Sequence, residues 1–273
     1  MTGPANAAKP NSRSLQLYSK VLFLCHLGIL KSTDLFSILD SVDSTNNYAM
    51  AKLHAGLAKH GMAWFAHEQT AGRGQPGKSW SSVAGQNIAL TILIQPPPVF
   101  FQKQFYFNAA VANCCLDLFT KYAGNESSVK WPNDIYWRDR KAAGILIENK
   151  IMGNNWRWAA IGIGMNINQV VFSDELNAVS LKQITGIEND PVLLAKELHE
   201  SVVQKIGDTR QDHLPGLLSA YNKKLYKRNE LVRLKKQGAA FETTVQGVNE
   251  YGQLMTKDTV ERTFNNGEVE WIR

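Results

Sequence analysis

The stretch from Gln69 to Trp80 holds the residue types best suited to binding an anion. It reads Gln-Thr-Ala-Gly-Arg-Gly-Gln-Pro-Gly-Lys-Ser-Trp, with three glycines and two cations in one short loop. Glycine lets the main chain come close to a ligand, exposed amides attract anions, and Arg73 and Lys78 add full positive charges. We therefore predict a loop that binds a phosphate or a carboxylate, and we interpret it as different from a Walker loop. A surface hairpin without a ligand is the alternative.

A second polar group, Asp43–Asn46, lies where a predicted strand meets a predicted helix. Asp, Ser, Thr and Asn are the residues that cap helix N-termini. The side chains of Ser44, Thr45 and Asn46 therefore either cap the helix or point from the junction into a pocket. The residues alone leave both interpretations open.

A third polar group has two parts, one around Pro132 and one that follows it. Lys130–Asp134 sits at a break, because proline cannot donate to the ladder of a central strand. Lys141–Glu148 then reads as an apolar strand that begins with a cation and in which Gly144 permits close approach. For Lys141 the alternative is a solvated turn cation.

A fourth polar group, Gly162–Asn166, ends the strand that follows a hairpin turn at 153–155. Two glycines and an amide at a strand end suit a pocket wall, and a plain strand-ending loop is the alternative.

The elements that must position these groups follow from hydrophobic periodicity. Apolar residues at Ala49, Leu53 and Leu57 predict a helix, which we expect Gly61 to end. Asp190-Pro191 is a cap followed by proline and predicts another helix start. From position 230 onward, short apolar runs between turns predict a small barrel-like β module. The other predicted elements are strands at Leu35–Val42, Met62–Ala66 and Ile88–Ile94 and helices at Phe105–Tyr122 and Leu214–Leu225.

Composition limits the class of protein. The chain has 273 residues and a net charge of +6, which is enough for one large and one small domain and permits an acidic partner. Three cysteines without a disulfide or metal spacing favour a reducing cytoplasm, and the histidines show no zinc spacing. The apolar run Val21–Leu30 is too short to span a bilayer, so we expect no membrane association.

Together, the four polar groups resemble the biotin protein ligase family in order and spacing. The most specific part is Lys-Trp-Pro-Asn-Asp followed by Lys-x-Ala-Gly-Ile-Leu-Ile-Glu, in combination with Gly-Arg-Gly. The resemblance implies an α/β (α+β) catalytic domain over 36–227, with a mixed sheet flanked by helices as in class II aminoacyl-tRNA synthetases. It also implies an SH3-like barrel over 228–273. Residues 1–35 would form a poorly ordered extension, and we expect the form that lacks an N-terminal DNA-binding domain.

The resemblance also implies the reaction and its partners. Biotin and MgATP would give biotinyl-5′-adenylate, and the biotinyl group would then pass to a lysine of a biotin carboxyl carrier protein. ATP and biotin are then substrates, Mg²⁺ is held mainly by the substrate phosphates, no DNA partner is expected, and a homodimer is compatible with the family. The residues that match biotin-contacting positions are Ser44, Thr45, Asn46, Gln69, Arg73, Gly74, Gln75, Lys141 and Gly144, with Arg73 and Lys141 as the catalytic pair.

On the nucleotide side, the matching residues are Trp80, Lys130, Asn133, Asp134 and Asn166. One position departs from the family pattern, because many members read Gly-Arg-Gly-Arg where this chain has Gln75. A neutral amide can donate a hydrogen bond to a phosphate but does not compensate its charge, and Lys78 is a candidate replacement.

Two other functions remain open at this level. A lipoate or octanoate ligase or transferase would share the broad fold. A basic, non-enzymatic nucleic-acid-binding protein would need exposed aromatics on the small β module, where Tyr251, Phe264 and Trp271 are few and scattered.

Overall fold

A computed structural model describes residues 35–153, 155–173 and 176–272 of the chain. The predicted N-terminal extension and the run Val21–Leu30 lie outside the described residues, apart from Leu35. The predictions made for that extension therefore stay predictions.

A seven-stranded mixed sheet forms the centre of the larger part of the molecule. Its strand order is β1-β2-β3-β7-β6-β5-β4, with β1 and β2 parallel and every other neighbouring pair antiparallel. The strands are β1 (Phe36–Val42), β2 (Ala63–Gln69), β3 (Ile88–Ile94), β4 (Ser127–Lys130), β5 (Asp134–Trp137), β6 (Arg140–Met152) and β7 (Asn155–Met165). A mixed sheet was predicted, and it is confirmed.

Helices cover both faces of this sheet because its central strands are apolar on both sides. All seven residues of β3 are buried. Alternate residues of a strand point to opposite faces, so Leu93 packs with one helix while Ile92 and Ile94 join the main core. The helices are α1 (Thr45–His54), α2 (Gln104–Ala123), α3 (Leu181–Thr185), α4 (Pro191–Asp208) and α5 (Leu214–Lys223).

Among the helices of the described ranges, α1 packs alone on one face of the sheet and leaves room beside it. Its buried Ala49 packs with Trp64, Leu93 and Ala160, whereas the other face carries α2 and α4 over the large core. The sheet surface next to α1 is therefore the place where a ligand can reach the strands.

The smaller module is a five-stranded antiparallel sheet in the order β11-β10-β9-β8-β12. Its strands are β8 (Leu231–Lys236), β9 (Ala239–Val248), β10 (Leu254–Lys257), β11 (Glu261–Phe264) and β12 (Glu270–Ile272). The predicted small β module is confirmed as a sheet. Its closure into a barrel stays a prediction.

Side chains of the larger part dock this module through its backbone. Trp131 Nε1 donates to Gly252 O at 2.9 Å, and the Asn222 amide exchanges two hydrogen bonds with the main chain of Val248, at 2.8 and 2.7 Å. Buried Leu234, Val245 and Phe264 of the module belong to the same apolar cluster as the helices of the larger part. The predicted boundary at 227/228 therefore has one continuous core across it.

The end predicted for the first helix was wrong. Helix α1 ends at His54, and the left-handed Gly56, with φ +72°, follows its C-cap. Leu57 continues the periodicity in the sequence but lies just after the turn at 55–56 and is 58% exposed. The cap at Asp190 is confirmed, since its carboxylate accepts from Val192 N and Leu193 N.

Among the described residues, no helix has the length and apolarity needed to cross a membrane.

A pair of neighbouring histidines makes the stability of this fold depend on pH. Burial lowers the pKa of His60 to about 4, with a further contribution from His199, whose own pKa burial also lowers. Both pKa values lie below the unfolded value of 6.5, so the unfolded chain binds protons first. The stability that the neutral rings contribute is complete above pH 6.5 and is lost as the pH falls toward 4.

We expect the free energy of unfolding in urea to fall between pH 7.5 and 5, by at most about 1.4 kcal/mol per pH unit for each histidine. His60→Asn keeps an acceptor for the Gln95 N–H, which the ring Nδ1 now accepts at 3.1 Å, but it cannot titrate. The unfolding free energy of the His60→Asn variant should therefore fall less steeply as the pH is lowered. An equal slope in the variant and the parent chain would contradict this assignment.

Candidate functional site

An open cleft of about 970 Å³ lies on the α1 side of the large sheet. Three adjacent strands form its floor, and register places Leu146 beside Gly162 in one row and Ala89 beside Gly164 and Gly144 in the next. Because these positions alternate along β3, β6 and β7, all of them face α1. Four of the five are glycine or alanine, so the floor contributes few side-chain atoms of its own.

The glycines of this floor are required by what lies on them. A Cβ at Gly164 would lie 2.3 Å from the Trp80 ring, and one at Gly162 would lie 2.3 Å from the Asn46 side-chain oxygen. At Gly144 it would lie 3.2 Å from Lys141 Nζ. The three glycines therefore set the positions of three predicted site residues, which lie against bare backbone.

Buried hydrogen bonds fix the polar end of the cleft beside α1. Thr91 Oγ1 lies 2.6 Å from Asn46 Oδ1 and 2.8 Å from Thr45 Oγ1, and Gln69 Oε1 accepts from Thr45 N at 2.8 Å. Ser44 is the N-cap residue but makes no side-chain capping bond. Of the two interpretations left open, capping is wrong for Ser44, and all three side chains, including Thr45 and Asn46, line the cleft.

Within the loop Gln69–Trp80, residues 72–80 fold as a short hairpin over the cleft. We call this hairpin the flap. Gly74 N donates to Lys78 O at 3.0 Å, Trp80 N donates to Gly72 O at 2.9 Å, and Arg73 forms an antiparallel bridge with Ser79. The sequence from Gly72 to Ser79 does match the Walker pattern Gly-x-x-x-x-Gly-Lys-Ser. A phosphate-binding P-loop leads into a helix, however, whereas this segment leads into β3.

Arg73 ties the flap to the sheet through a carboxylate. Its guanidinium donates to both oxygens of Glu148, at 3.1 and 3.0 Å, and to Asn47 Oδ1 at 2.9 Å. Asn47 in turn donates to Asp43 Oδ2 at 2.6 Å, and this bond holds the pKa of Asp43 below its usual value. The predicted catalytic arginine is therefore held at the cleft edge.

Gln75, the position that departs from the family pattern, fastens the flap tip. Its Nε2 donates to Asn133 Oδ1 at 3.1 Å, and Asn133 Nδ2 donates to Ile145 O. Many family members have a charged arginine at this position. This chain has a neutral amide there, which forms a hydrogen bond across the cleft. Lys78, the candidate replacement for that charge, also lines the cleft.

Lys141 lies at the other end of the floor, paired with a carboxylate. Its Nζ is 2.8 Å from Asp134 Oδ1 and 5.8 Å from the centre of the Trp80 ring. The pair is only partly exposed, so it is less screened than a surface ion pair. Arg73 and Lys141 line the same cleft, and the alternative of a solvated turn cation is wrong.

The smaller module closes the far side of the cleft. Lys130 Nζ lies over the rings of Tyr136, Tyr226 and Trp271, at 4.7, 5.5 and 5.3 Å from their centres. Trp271 belongs to β12, and the loop before that strand also lines the cleft. An ammonium enclosed by aromatic rings thus joins the two parts of the molecule at the site.

The structure brings together every predicted site residue except Asn166. That residue is buried behind the Lys141 strand, where its Nδ2 donates to Val179 O at 3.2 Å, and it does not line the cleft. Its predicted role at the nucleotide stays a prediction, as do the roles of the others.

Sequence reasoning gave no site role to Thr91, Glu148 or Trp271, although Glu148 ends the motif Lys141–Glu148. Glu148 could have been found, because Gly144, Leu146 and Glu148 alternate on one face of a strand already assigned to the site. For Thr91 and Trp271 the sequence offered only a polar residue within an apolar strand and a terminal aromatic. Neither feature indicates a cleft.

For a metal ion, the described residues offer little of their own, since they contain no cluster of three His, Cys, Asp or Glu side chains. Asp134 supplies one hard oxygen ligand at the cleft, which suits Mg²⁺. Such an ion would need most of its ligands from a bound substrate.

Comparison with known proteins identifies relatives. The model of the Biotin/lipoate A/B protein ligase family matches residues 38–166. The chain is 30% identical over 241 residues to the "Bifunctional ligase/repressor BirA" of Escherichia coli (strain K12), a match that spans 85% of this chain and 73% of that protein. It is 39% identical over 134 residues to the "Biotin--[acetyl-CoA-carboxylase] ligase" of Paracoccus denitrificans, spanning 48% of this chain and 53% of that protein.

Solved structures share the fold. The biotin protein ligase of Aquifex aeolicus in complex with biotin and ATP superposes with a TM-score of 0.73 at 23% identity, covering 87% of this chain and 98% of that one. A biotin protein ligase of Leishmania major in complex with biotin gives a TM-score of 0.60 at 22% identity, covering 88% and 98%.

The contact between Gly164 and Trp80 can be tested by a double-mutant cycle. We expect Gly164→Ala to lower the free energy of unfolding in urea by roughly 1–3 kcal/mol, because the new methyl group displaces a rigid ring. In a Trp80→Ala background the same change should cost much less, since the three atoms nearest the new Cβ all belong to Trp80.

The control is Gly207→Ala in α4, where a Cβ meets no atom within 4 Å and should not destabilise the chain. Equal costs of Gly164→Ala in both backgrounds would contradict the packing described above.

Proposed function

Because this chain belongs to the biotin protein ligase family, we propose that it activates biotin as biotinyl-5′-adenylate and transfers it to a lysine of a biotin carboxyl carrier protein. Biotin ligase activity itself follows from the family and its curated members. The observation that carries the finer proposal is the placement of Arg73 and Lys141 on one cleft, at opposite ends of a glycine floor. That arrangement suits a small acid bound along the floor.

The polar end beside α1 suits the ureido ring of biotin. A cyclic urea has two N–H donors and one carbonyl acceptor, so its site needs both kinds of partner. Ser44, Thr45 and Gln69 supply hydroxyl and amide groups there, and hydrogen bonds already fix Thr45 and Gln69. Leu146 and the Trp80 ring, which lies on Gly164, then offer apolar surface for the valeryl chain toward Lys141.

In the first step a carboxylate oxygen of biotin attacks the α-phosphorus of ATP and pyrophosphate leaves. Lys141 would meet both the carboxylate and the developing charge on the phosphate, and Asp134 holds its ammonium in place beforehand. The flap residues Arg73 and Lys78 add further positive charge to the cleft.

The nucleotide would occupy the side of the cleft toward the smaller module. Trp80 lines the cleft and offers an aromatic face on which a base can stack. Asn133 and Lys130 line the same side. Mg²⁺ would be held mainly by the ATP phosphates and would compensate their charge, with Asp134 as the nearest candidate protein ligand.

In the second step the carrier lysine attacks the acyl carbon of the adenylate, the bond to AMP breaks, and the amine loses a proton as the amide forms. No enzyme nucleophile is required. Asp134 is the candidate acceptor for that proton. A cytoplasmic location, where carrier and ATP are available, remains part of this proposal.

The family model covers lipoate ligases as well as biotin ligases. Pyrophosphate exchange measured separately with biotin, lipoate and octanoate distinguishes the two substrate classes. We expect exchange with biotin and none with lipoate or octanoate. Transfer is then tested with labelled biotin, MgATP and a purified carrier domain, with each component left out in turn.

We expect Lys141→Ala to reduce biotin-dependent ATP–pyrophosphate exchange on the order of a hundredfold, because a cation at the developing charge is lost. Arg73→Ala should reduce it as well. The matched control is Lys182→Ala, because Lys182 is also ion-paired and its side chain is 34% exposed against 33% for Lys141, but it lies outside the cleft.

Normal exchange in both Lys141→Ala and Arg73→Ala would overturn the site assignment. Exchange that is equally low in Lys182→Ala would show that loss of any such ion pair, rather than the cleft cation, causes the effect.

A further inference from the structure

Glu148 is the one carboxylate that contacts both the flap and the polar end of the cleft among the described residues. It follows Gly144 and Leu146 on the α1 face of β6 and pairs in register with Ala160. Its Oε1 and Oε2 accept from the two terminal nitrogens of Arg73, and Oε2 also accepts from Asn46 Nδ2 at 2.8 Å. Three hydrogen bonds thus converge on a side chain that is only 26% exposed.

The contact with Asn46 fixes which way that amide points. Its Oδ1 lies 2.6 Å from the Thr91 hydroxyl, and Thr91 is fully buried. An ionised carboxylate only accepts hydrogen bonds, so the Nδ2 must face Glu148 and the oxygen must face Thr91. A flipped Asn46 would place its oxygen against the Glu148 carboxylate, so two acceptors would meet and that hydrogen bond would be lost.

The contact with Arg73 is a bidentate ion pair, the geometry in which guanidinium and carboxylate bind most strongly. It joins the flap, between β2 and β3, to β6 at a separation of 75 residues. The position of the flap arginine and the orientation of the Asn46 amide therefore depend on one carboxylate.

We propose that Glu148 is a positioning residue for the biotin end of the cleft. It holds the Arg73 guanidinium over the floor and the Asn46 amide in one orientation, so that flap closure and the ring-binding end are set together. The proposal rests on the proposed function, since the affected ligand is biotin. It assigns Glu148 no contact with the reacting atoms.

The opposite role for Glu148 is physically possible, and it predicts the opposite change in ligand affinity when its charge is removed. If Glu148 competed with an anionic ligand for Arg73, removing its charge would free the arginine and tighten binding. Preorganisation predicts weaker binding, because without the carboxylate both Arg73 and Asn46 lose a charged partner and regain rotameric freedom.

The experiment compares Glu148→Gln and Glu148→Ala with Glu126→Gln. Glu126 accepts a bidentate pair from Arg138, at 2.8 and 3.0 Å, and neither residue lines the cleft, so this control removes an equivalent ion pair elsewhere. Biotin KM and kcat are measured in pyrophosphate exchange, and the dissociation half-life of preformed, labelled biotinyl-adenylate is measured without turnover. Thermal melting confirms that each variant folds.

We expect Glu148→Ala to raise the biotin KM by roughly ten- to a hundredfold and to shorten the half-life similarly, as for the loss of charged hydrogen bonds. The kcat should change much less, because Lys141 and Asp134 are untouched. Glu148→Gln keeps one acceptor oxygen and should give an intermediate KM. In an Arg73→Ala background the effect of Glu148→Gln should shrink, since one of its two partners is absent.

A biotin KM and half-life in the Glu148 variants equal to those of Glu126→Gln would overturn the proposal, and so would a lower KM. A fall confined to kcat would assign Glu148 to the chemical step instead. An inactive parent chain would refute the proposed function, a result that cannot be confused with an active parent whose Glu148 variants behave like the control.

Discussion

Close approach to bare backbone is the constraint on which the site depends. The rings and amides that form the cleft lie where a Cβ of the floor would otherwise be, at 2.3 Å for both Trp80 on Gly164 and Asn46 on Gly162. These glycines are not turn residues, because they lie within β7, where glycine weakens a strand. The local cost in strand propensity is offset by apolar packing elsewhere, since β3 next to β7 is fully buried.

Charge is compensated within the cleft before any ligand binds. Arg73 faces Glu148 and Lys141 faces Asp134, each at hydrogen-bonding distance. A cation held by a carboxylate keeps its direction and loses little rotameric freedom when an anion arrives, which is the physical content of preorganisation. Gln75 fits this scheme, since it fastens the flap without adding a charge that would need its own partner.

Much of this fold could be predicted from the sequence because its signals are local. The strand Ile88–Ile94 and the cap at Asp190 agree with the structure, since an apolar run and a cap–proline pair act within a few residues. The helix end predicted at Gly61 was wrong because periodicity cannot show that the chain turns at Gly56 and leaves Leu57 exposed. Glu148 and Asn46, 102 residues apart, meet only through strand order and register, which no local pattern encodes.

The role of the smaller module illustrates the same limit and explains why its sequence looked uninformative. Its docking bonds use its own main chain, at Gly252 O and at Val248, while the side chains come from Trp131 and Asn222 of the larger part. These bonds ask nothing of the module's side chains, so composition cannot reveal them. Other module side chains do take part, since Leu234, Val245 and Phe264 join the shared core and the Trp271 ring covers Lys130 and lines the cleft. The cleft is therefore complete only when both parts are in place, and the C-terminal sheet belongs to the site rather than to an independent binding module.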